Sequence, residues 1–507
     1  MNLLRRRLLA TGVGAVALTA TTTAKPVDKE SDLTYDEVVD VIVVGSGVAG
    51  TIAAIKASEN GSSVLLIEKM NRLGGTSRYS GLNFACVGSP LQQEKGVNDS
   101  PELLANDMFK VSNGLGNYQL ALHMAKNTSR VEVFLRERGV VWDGRLLKLG
   151  GHSVARCLVP EGDGAGLMSK LWEHMKSLPR LKVRLNTKAE EIIFDKQGKV
   201  DGLLVKDAYV FNPNDENDDL NNKSGKDYRI KARQGVVFAT GGYARDREFR
   251  SVEVPFLRGV STTTNQGATA GALKTMVRAG ARAMHLTLFR FAYPLPTEDM
   301  LWGVMLDPVT SQRFMNEGET RNTLAVGTLS LRLKNGDRKP FMIYDEKGLS
   351  KFHNINRVGR SLNGLNGIDG TMFKFDRIEE LAQHFGADPV LVKKSLEVYN
   401  QNLIKGEDQF KKPNERTGRK VEPIDMNGPF YGIVISPRLN YTPGGIRFNE
   451  KAEAISMDTG KSIPGLYVCG EAAGGLHGAE RMTACSMPDC SVFGLIAGEQ
   501  VSSRPKA

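Results

Sequence analysis

Val41 to Val44 is an unbroken β-branched run, the pattern of a strand buried on both faces, and it leads straight into Gly45-x-Gly47-x-x-Gly50. An apolar helical pattern follows, then a second apolar run, Val64 to Ile67, closed by Glu68. Strand, glycine turn, helix, strand and terminal acid together predict a βαβ unit that holds a dinucleotide. Gly45 permits the tight turn. Gly47 lets a pyrophosphate approach the backbone at the positive end of the helix, where Ala49 also lies, and Gly50 lets helix and strand pack closely. Glu68 is placed to accept hydrogen bonds from a ribose. The structural alternative is a glycine-rich turn with no ligand.

Further along, Gly74-Gly75-Thr76-Ser77 and Ser80-Gly81-Leu82-Asn83 are small and hydroxylated, which suits a loop passing close to a cofactor; Gly75, Thr76, Ser77 and Gly81 are candidate contacts. Ser100-Pro101 predicts a helix start, and helical patterns run from about Leu103 to Arg138. Strands are expected around Val183 to Leu185 and Ile192 to Phe194. The polar stretch from Asn212 to Lys226 reads as an exposed hairpin tip or loop, its acidic cluster solvated rather than cation-binding. Gly235 to Gly242, GVVFATGG, is a buried strand ending in Ala239, Thr240 and Gly241, a second place where backbone can touch a cofactor. A near match, GLYVCGEAAGG with Glu471, comes at Gly465 to Gly475. Both ends thus carry cofactor-loop chemistry and the middle does not, which predicts a discontinuous nucleotide domain with an inserted second domain.

The chain of 507 residues is long enough for two sizeable domains. Its formal charge is +10, and loss of Arg5, Arg6 and Arg7 with a leader lowers it by three. A basic surface favours acidic partners or anionic substrates. No nucleic-acid motif accompanies it. Arg5-Arg6-Arg7-Leu8-Leu9, a short apolar stretch and small residues to Ala24 read as a signal peptide of twin-arginine type over 1–24, giving a periplasmic protein with no transmembrane anchor after cleavage; an ordinary secretion signal or a basic tail is the alternative. Five cysteines form neither CxxCH nor CxxC, so no haem attachment, metal or iron–sulfur site is expected.

GSGVAG…IEK, GGTS, ATGG, and PGLYVCGEAAGG followed by HGAER together resemble the flavoprotein of the succinate dehydrogenase and fumarate reductase superfamily. The likeness is greatest to soluble periplasmic flavocytochrome c fumarate reductases and related enoate reductases such as urocanate and methacrylate reductases. It spans about Glu37 to Ser503. The middle agrees too: Gln312 to Arg321 resembles the family's RFVNE-xx-TR segment, and Tyr399-Asn400, Gly406 and Phe410 its clamp-domain helix and turn. The resemblance implies an α/β fold: a Rossmann-like, glutathione-reductase-like FAD-binding domain over 37–284 and 442–503, with an inserted α+β clamp (capping) domain over 285–441. It implies noncovalent FAD, because the glycine-rich loop lacks the His of covalently linked members. It also implies hydride transfer from flavin N5 to the β-carbon of an α,β-unsaturated carboxylate, with an acid protonating the α-carbon.

By the same resemblance, Arg321 matches the catalytic proton donor, the bland alternative being an ion pair with Glu317. Arg481 matches the arginine that grips the substrate carboxylate, the alternative being a surface arginine. Departures matter. Tyr441 stands where fumarate-reducing members have a His, and can still donate a hydrogen bond to a carboxylate or carbonyl. Arg290 stands near a second such His, and either binds a further anionic group or pairs structurally. Glu298 or Asp299 could replace a proton-delivery acid. Ala270 falls near where an acid often contacts the cofactor. Thr483 to Ser486 replaces a GGNA-like run at the flavin end, where the following helix start is expected to stabilise reduced flavin. The aromatic neighbourhood Leu286 to Tyr293 is either core packing or a pocket for an alkyl- or aryl-substituted enoate. With no haem motif in the chain, a separate periplasmic c-type cytochrome is the expected electron donor, in anaerobic respiration. Two other readings stay open: a 3-ketosteroid Δ1-dehydrogenase-like enzyme, and a flavin electron carrier without a substrate of its own.

Overall fold

The computed structural model describes residues 34–352, 355–365, 370–416 and 418–506; the arginine-led segment 1–24 lies outside the described residues. Strand β1 (Glu37–Val44), helix α1 (Val48–Glu59) and strand β2 (Val64–Ile67) form the expected βαβ unit. β1 pairs in parallel with β2, Val41 opposite Val64, and on its other side with Lys226–Phe238. The full order is Glu453–Ile455, Ser462–Val468, Lys226–Phe238, β1, β2, Leu181–Arg184. Only the edge strand Glu453–Ile455 runs antiparallel on this path. A hairpin of Lys188–Phe194 and Val200–Asp207 is attached to Lys226–Phe238.

A parallel sheet is buried on both faces, which is why its strands read as continuous apolar runs. Val41, Ile42 and Val43 have no exposed surface. α1 covers one face and is itself covered by the C-terminal helix Ser486–Ser502, so its apolar residues show no narrow stripe. Gly494 and Gly498 make that contact possible: a Cβ on either would lie 2.6 Å from the carbonyl oxygen of Ala49 or Ala53.

Arg290–Ala292 and Arg438–Tyr441 pair antiparallel, with Arg290 opposite Tyr441. Between them the chain builds a second sheet, in the order Val304–Leu306, Phe341–Tyr344, Phe430–Val434, Met372–Phe375, every neighbour antiparallel. Helices Ile378–His384 and Pro389–Lys405 close a separate apolar core over it.

The helix start at Ser100 is as expected: its hydroxyl accepts from the Leu103 amide, and helices span Pro101–Val111 and Tyr118–Glu137. The stretch from Asn212 to Lys226 differs from expectation. It joins two strands, but Asp218 is buried, accepting from the Tyr209 hydroxyl and the Asn212 amide, and only 10% of the Asp219 side chain is exposed. Lysines distant in sequence draw Asp219 inward, as described below.

Candidate active site

The carboxyl ends of the parallel strands converge, and the residue after each turns into a common open cavity: Gly45 after β1, Glu68 after β2, Ala239 after Lys226–Phe238, Cys469 after Ser462–Val468. This is the crevice in which open α/β sheets bind ligands. Gly45 has φ of +99°, and a Cβ there would meet the Ala239 carbonyl oxygen at 2.5 Å. A Cβ on Gly50 would meet the Gly45 oxygen at 1.9 Å, so the close strand–helix approach tolerates only glycine. No acidic side chain occupies the first turn of α1, which leaves the positive end of the helix dipole to an anion such as a pyrophosphate.

Gly47, Ala49, Gly75, Thr76, Ser77, Thr240, Gly241 and Glu471 also line the cavity. Ser77 accepts from the Val48 amide at 3.0 Å, and Thr76 from the Asn265 amide at 3.0 Å, pinning the glycine-rich loop across the cavity. Glu68 Oε2 accepts from the Ser46 amide and hydroxyl, and Oε1 from the Met70 amide. A carboxylate has about four acceptor positions, so one remains for a ribose hydroxyl. Gly81 and Ser486 are outside this lining: Gly81 is exposed, and Ser486 is the first residue of the C-terminal helix. Ala270 is buried and precedes helix Gly271–Arg278, its amide donating to Asp246. At the far end of the cavity Glu471 accepts from the Thr442 amide and hydroxyl; burial nonetheless pushes its carboxyl up to about 7.

Three guanidiniums lie close together where the two-stranded ribbon meets the C-terminal segment. Arg290 is buried and donates from Nε to the Arg481 carbonyl (2.9 Å), from Nη1 to Asn440 Oδ1 (3.2 Å) and from Nη2 to Thr483 Oγ1 (3.5 Å). Burial, then the charges of Arg481 and Arg321, hold its pKa well below the ordinary value. Arg481 is also buried and its pKa is lowered, first by burial. Its Nη1 donates to the Met482 carbonyl, while its Nε–H has no acceptor among the described residues. That buried, unpartnered donor leaves the guanidinium with hydrogen-bonding capacity that a carboxylate can take up. Among the described residues no carboxylate lies within 4.0 Å of Arg290 or Arg481. Glu480, Glu298 and Glu471 act on the cluster from further away, so Arg290 and Arg481 are left without a direct carboxylate partner among the described residues.

Arg321 does not pair with Glu317. The helix starts at Arg321, capped by Thr320, so Glu317 precedes it and is not one turn below it. Glu317 instead binds Arg313 and Lys412, and Arg321 Nε faces Glu480 at 3.4 Å. Arg321 Nη1 donates to the Phe291 carbonyl and Nη2 to Thr297, whose hydroxyl contacts Glu298. Tyr441 makes its hydrogen bond to a carboxylate of the protein itself. Its hydroxyl donates to Asp489 Oδ2 at 2.9 Å, which also meets His477 Nε2 at 3.0 Å, and its ring lies under the Arg481 guanidinium. Its donor is therefore committed within the protein. Sequence reasoning missed Asp489 and the role of His477, although His477 stands in the quoted HGAER motif. Of the aromatic neighbourhood, Phe289 packs edge-on against Tyr243, and Phe291 and Tyr293 belong to the main core.

The family profile described as "FAD binding domain" matches residues 40–487. The chain is similar to the acrylate reductase flavoprotein subunit of Shewanella woodyi, 32% identical over 98% of each chain. It is also similar to the urocanate reductase of Eggerthella lenta, 30% identical over 92% of this chain and 75% of that one. Among solved structures, the open conformation of a flavocytochrome c3 fumarate reductase aligns with a TM-score of 0.77 and 25% identity, over 92% of this chain and 78% of that one.

Proposed function

This chain belongs to the FAD-binding family that includes the acrylate, urocanate and fumarate reductases, as an FAD-dependent oxidoreductase acting on carbon–carbon double bonds, and on that premise we propose that its substrate is a small α,β-unsaturated monocarboxylate. The observation that carries this is the unpartnered Nε–H of buried Arg481, close to the guanidiniums of Arg290 and Arg321. That guanidinium grips one carboxylate. A second carboxylate is offered less, because Arg290 already spends three of its five N–H groups on protein acceptors and the Tyr441 hydroxyl is committed to Asp489. The name of the S. woodyi relative, an acrylate reductase, supports the same class.

FAD, when bound and reduced, supplies the hydride that adds to the β-carbon of the enoate. The protein's own residues do the rest. Arg481 orients the carboxylate and stabilises the negative charge that spreads onto it as the hydride adds. Arg321, set by Thr297 and the Phe291 carbonyl, places a guanidinium N–H beside the same site to protonate the α-carbon, and Glu480 lies against it to restore the proton. The product is the saturated acid: two electrons and one proton come as hydride, a second proton through Arg321.

The electrons come from a separate periplasmic c-type cytochrome. The chain has no haem-attachment motif, and the S. woodyi relative is named as a flavoprotein subunit. Among the described residues no helix is long and apolar enough to cross a membrane. A neutral steroid ketone would bring no carboxylate to the unpartnered Nε–H of Arg481, which weighs against the dehydrogenase reading. The test is anaerobic oxidation of reduced methyl viologen with acrylate, methacrylate, cinnamate, urocanate and fumarate. The proposal expects turnover of monocarboxylates over fumarate; preference for fumarate, or dye reduction with androstenedione-type ketones alone, overturns it. Efficient reduction by NADH and none by reduced cytochrome overturns the donor assignment.

A further inference from the structure

The cavity continues past Glu68, away from Glu471, to an end lined by Lys69, Thr187, Lys188 and Asp219. Asp219 comes from the polar connection between Val200–Asp207 and Lys226–Phe238, and it reaches back to three other elements. Its Oδ1 accepts from Lys69 Nζ at 3.2 Å, just beyond β2. Its Oδ2 accepts from the Gly271 amide at 3.0 Å, at the start of helix Gly271–Arg278. Lys188 Nζ donates to its carbonyl at 2.8 Å. Lys69 donates as well to Thr269 Oγ1 at 2.6 Å. Burial alone would raise the Asp219 pKa, but Lys69, Thr269 and Lys188 together hold it below the ordinary carboxylate range. The connection is anchored at its base by buried Asp218, bound to Tyr209, Asn212 and Asn222. A segment that looks like a free loop is therefore fastened over one end of the cofactor cavity by charge-assisted bonds.

We propose that Asp219 and Lys69 form a clasp that holds the adenosine end of FAD, with the Asn212–Ser224 connection as the strap that carries it. Glu68, with an acceptor position left for the ribose, fixes which end this is. An adenine edge alternates an amine donor with ring-nitrogen acceptors, and a carboxylate beside an ammonium offers the complementary pair. Release of the dinucleotide requires this ion pair to part, so the clasp sets how long the cofactor stays. Its recognition is confined to the adenosine half and is independent of the substrate reading.

The test uses the FAD-loaded protein and reads flavin release by ultrafiltration and flavin absorbance, not turnover. Asp219→Ala and Lys69→Gln are each expected to release FAD about tenfold faster or more, the loss of one charge-assisted hydrogen bond. FMN, which lacks adenosine, is expected to bind both flavin-free variants as it binds the parent. Asp227→Asn, whose parent carboxylate pairs with Lys206 at the exposed strand end, serves as the control and is expected to release FAD at the parental rate. The proposal is overturned if both clasp variants release FAD like the parent. It is equally overturned if FMN binding weakens in step with FAD, or if the control releases FAD as fast as they do. If Asp219→Ala does not fold, Lys69→Gln, which leaves the anchored strap intact, decides alone.

Discussion

Replacing Glu471 by Gln tests whether burial of one carboxyl makes the fold pH-dependent. Glu471 is buried at the end of the cavity; burial is the largest influence on it, opposed by the Thr442 bonds and the Arg481 charge, and its carboxyl rises to about 7 from an ordinary 4.5. The folded protein therefore binds this proton more tightly than the unfolded chain does. The stabilisation is complete below the unfolded pKa and is lost as pH rises through the folded one. A gap of this size corresponds to roughly 3 kcal/mol in all, most of it lost between pH 5 and pH 8. Gln approximates the protonated acid in shape, and its carbonyl keeps the acceptor for the Thr442 amide. Urea unfolding of flavin-free protein at several pH values, parent against Glu471→Gln, reads the difference directly. The variant is expected to gain on the parent by about 2–3 kcal/mol from pH 5 to pH 8. A parent-minus-variant difference that does not change with pH refutes the reasoning.

Arg481→Lys replaces a bidentate fork by a point charge and is expected to raise KM for the enoate by about tenfold to a hundredfold with FAD content unchanged, measured by steady-state viologen oxidation. Arg321→Ala is expected to keep FAD and lose turnover by about a hundredfold or more, as for a lost general acid; near-parental rates remove Arg321 as proton donor. Gly50→Ala places a Cβ 1.9 Å from the Gly45 oxygen, so the glycine turn must shift. It is expected to destabilise the fold by about 1–3 kcal/mol and to lower bound flavin, read by denaturation and absorbance.

The βαβ unit was legible because every signal lies within one short window: the β-branched run, the three glycines and the closing acid act on neighbours. The Ser100 cap was legible for the same reason. The acidic connection was not, since what buries Asp219 is Lys69, 150 positions away in sequence. The four-residue spacing of Glu317 and Arg321 pointed to a helical pair, but that argument requires both residues inside one helix. Gly318 and the Thr320 cap, both visible in the sequence, mark the helix start between them. The arginines themselves came from family resemblance rather than local pattern. Their surroundings, such as the Tyr441 bond to Asp489, depend on how the ribbon lands against the C-terminal helix.

The strand order carries a consequence in time. β1 and β2 are made early, yet Ser462–Val468, which completes the sheet beyond Lys226–Phe238, and Ser486–Ser502, whose glycines seat on α1, come last. At about 5–20 residues per second, the ribosome needs on the order of 20–80 s to travel from β2 to Ser462. Throughout that interval the apolar back of α1 waits without its cover, and the cavity lacks the wall formed by Cys469, Glu471 and Cys490. The wall that completes the flavin cavity is therefore made long after the glycine turn that opens it.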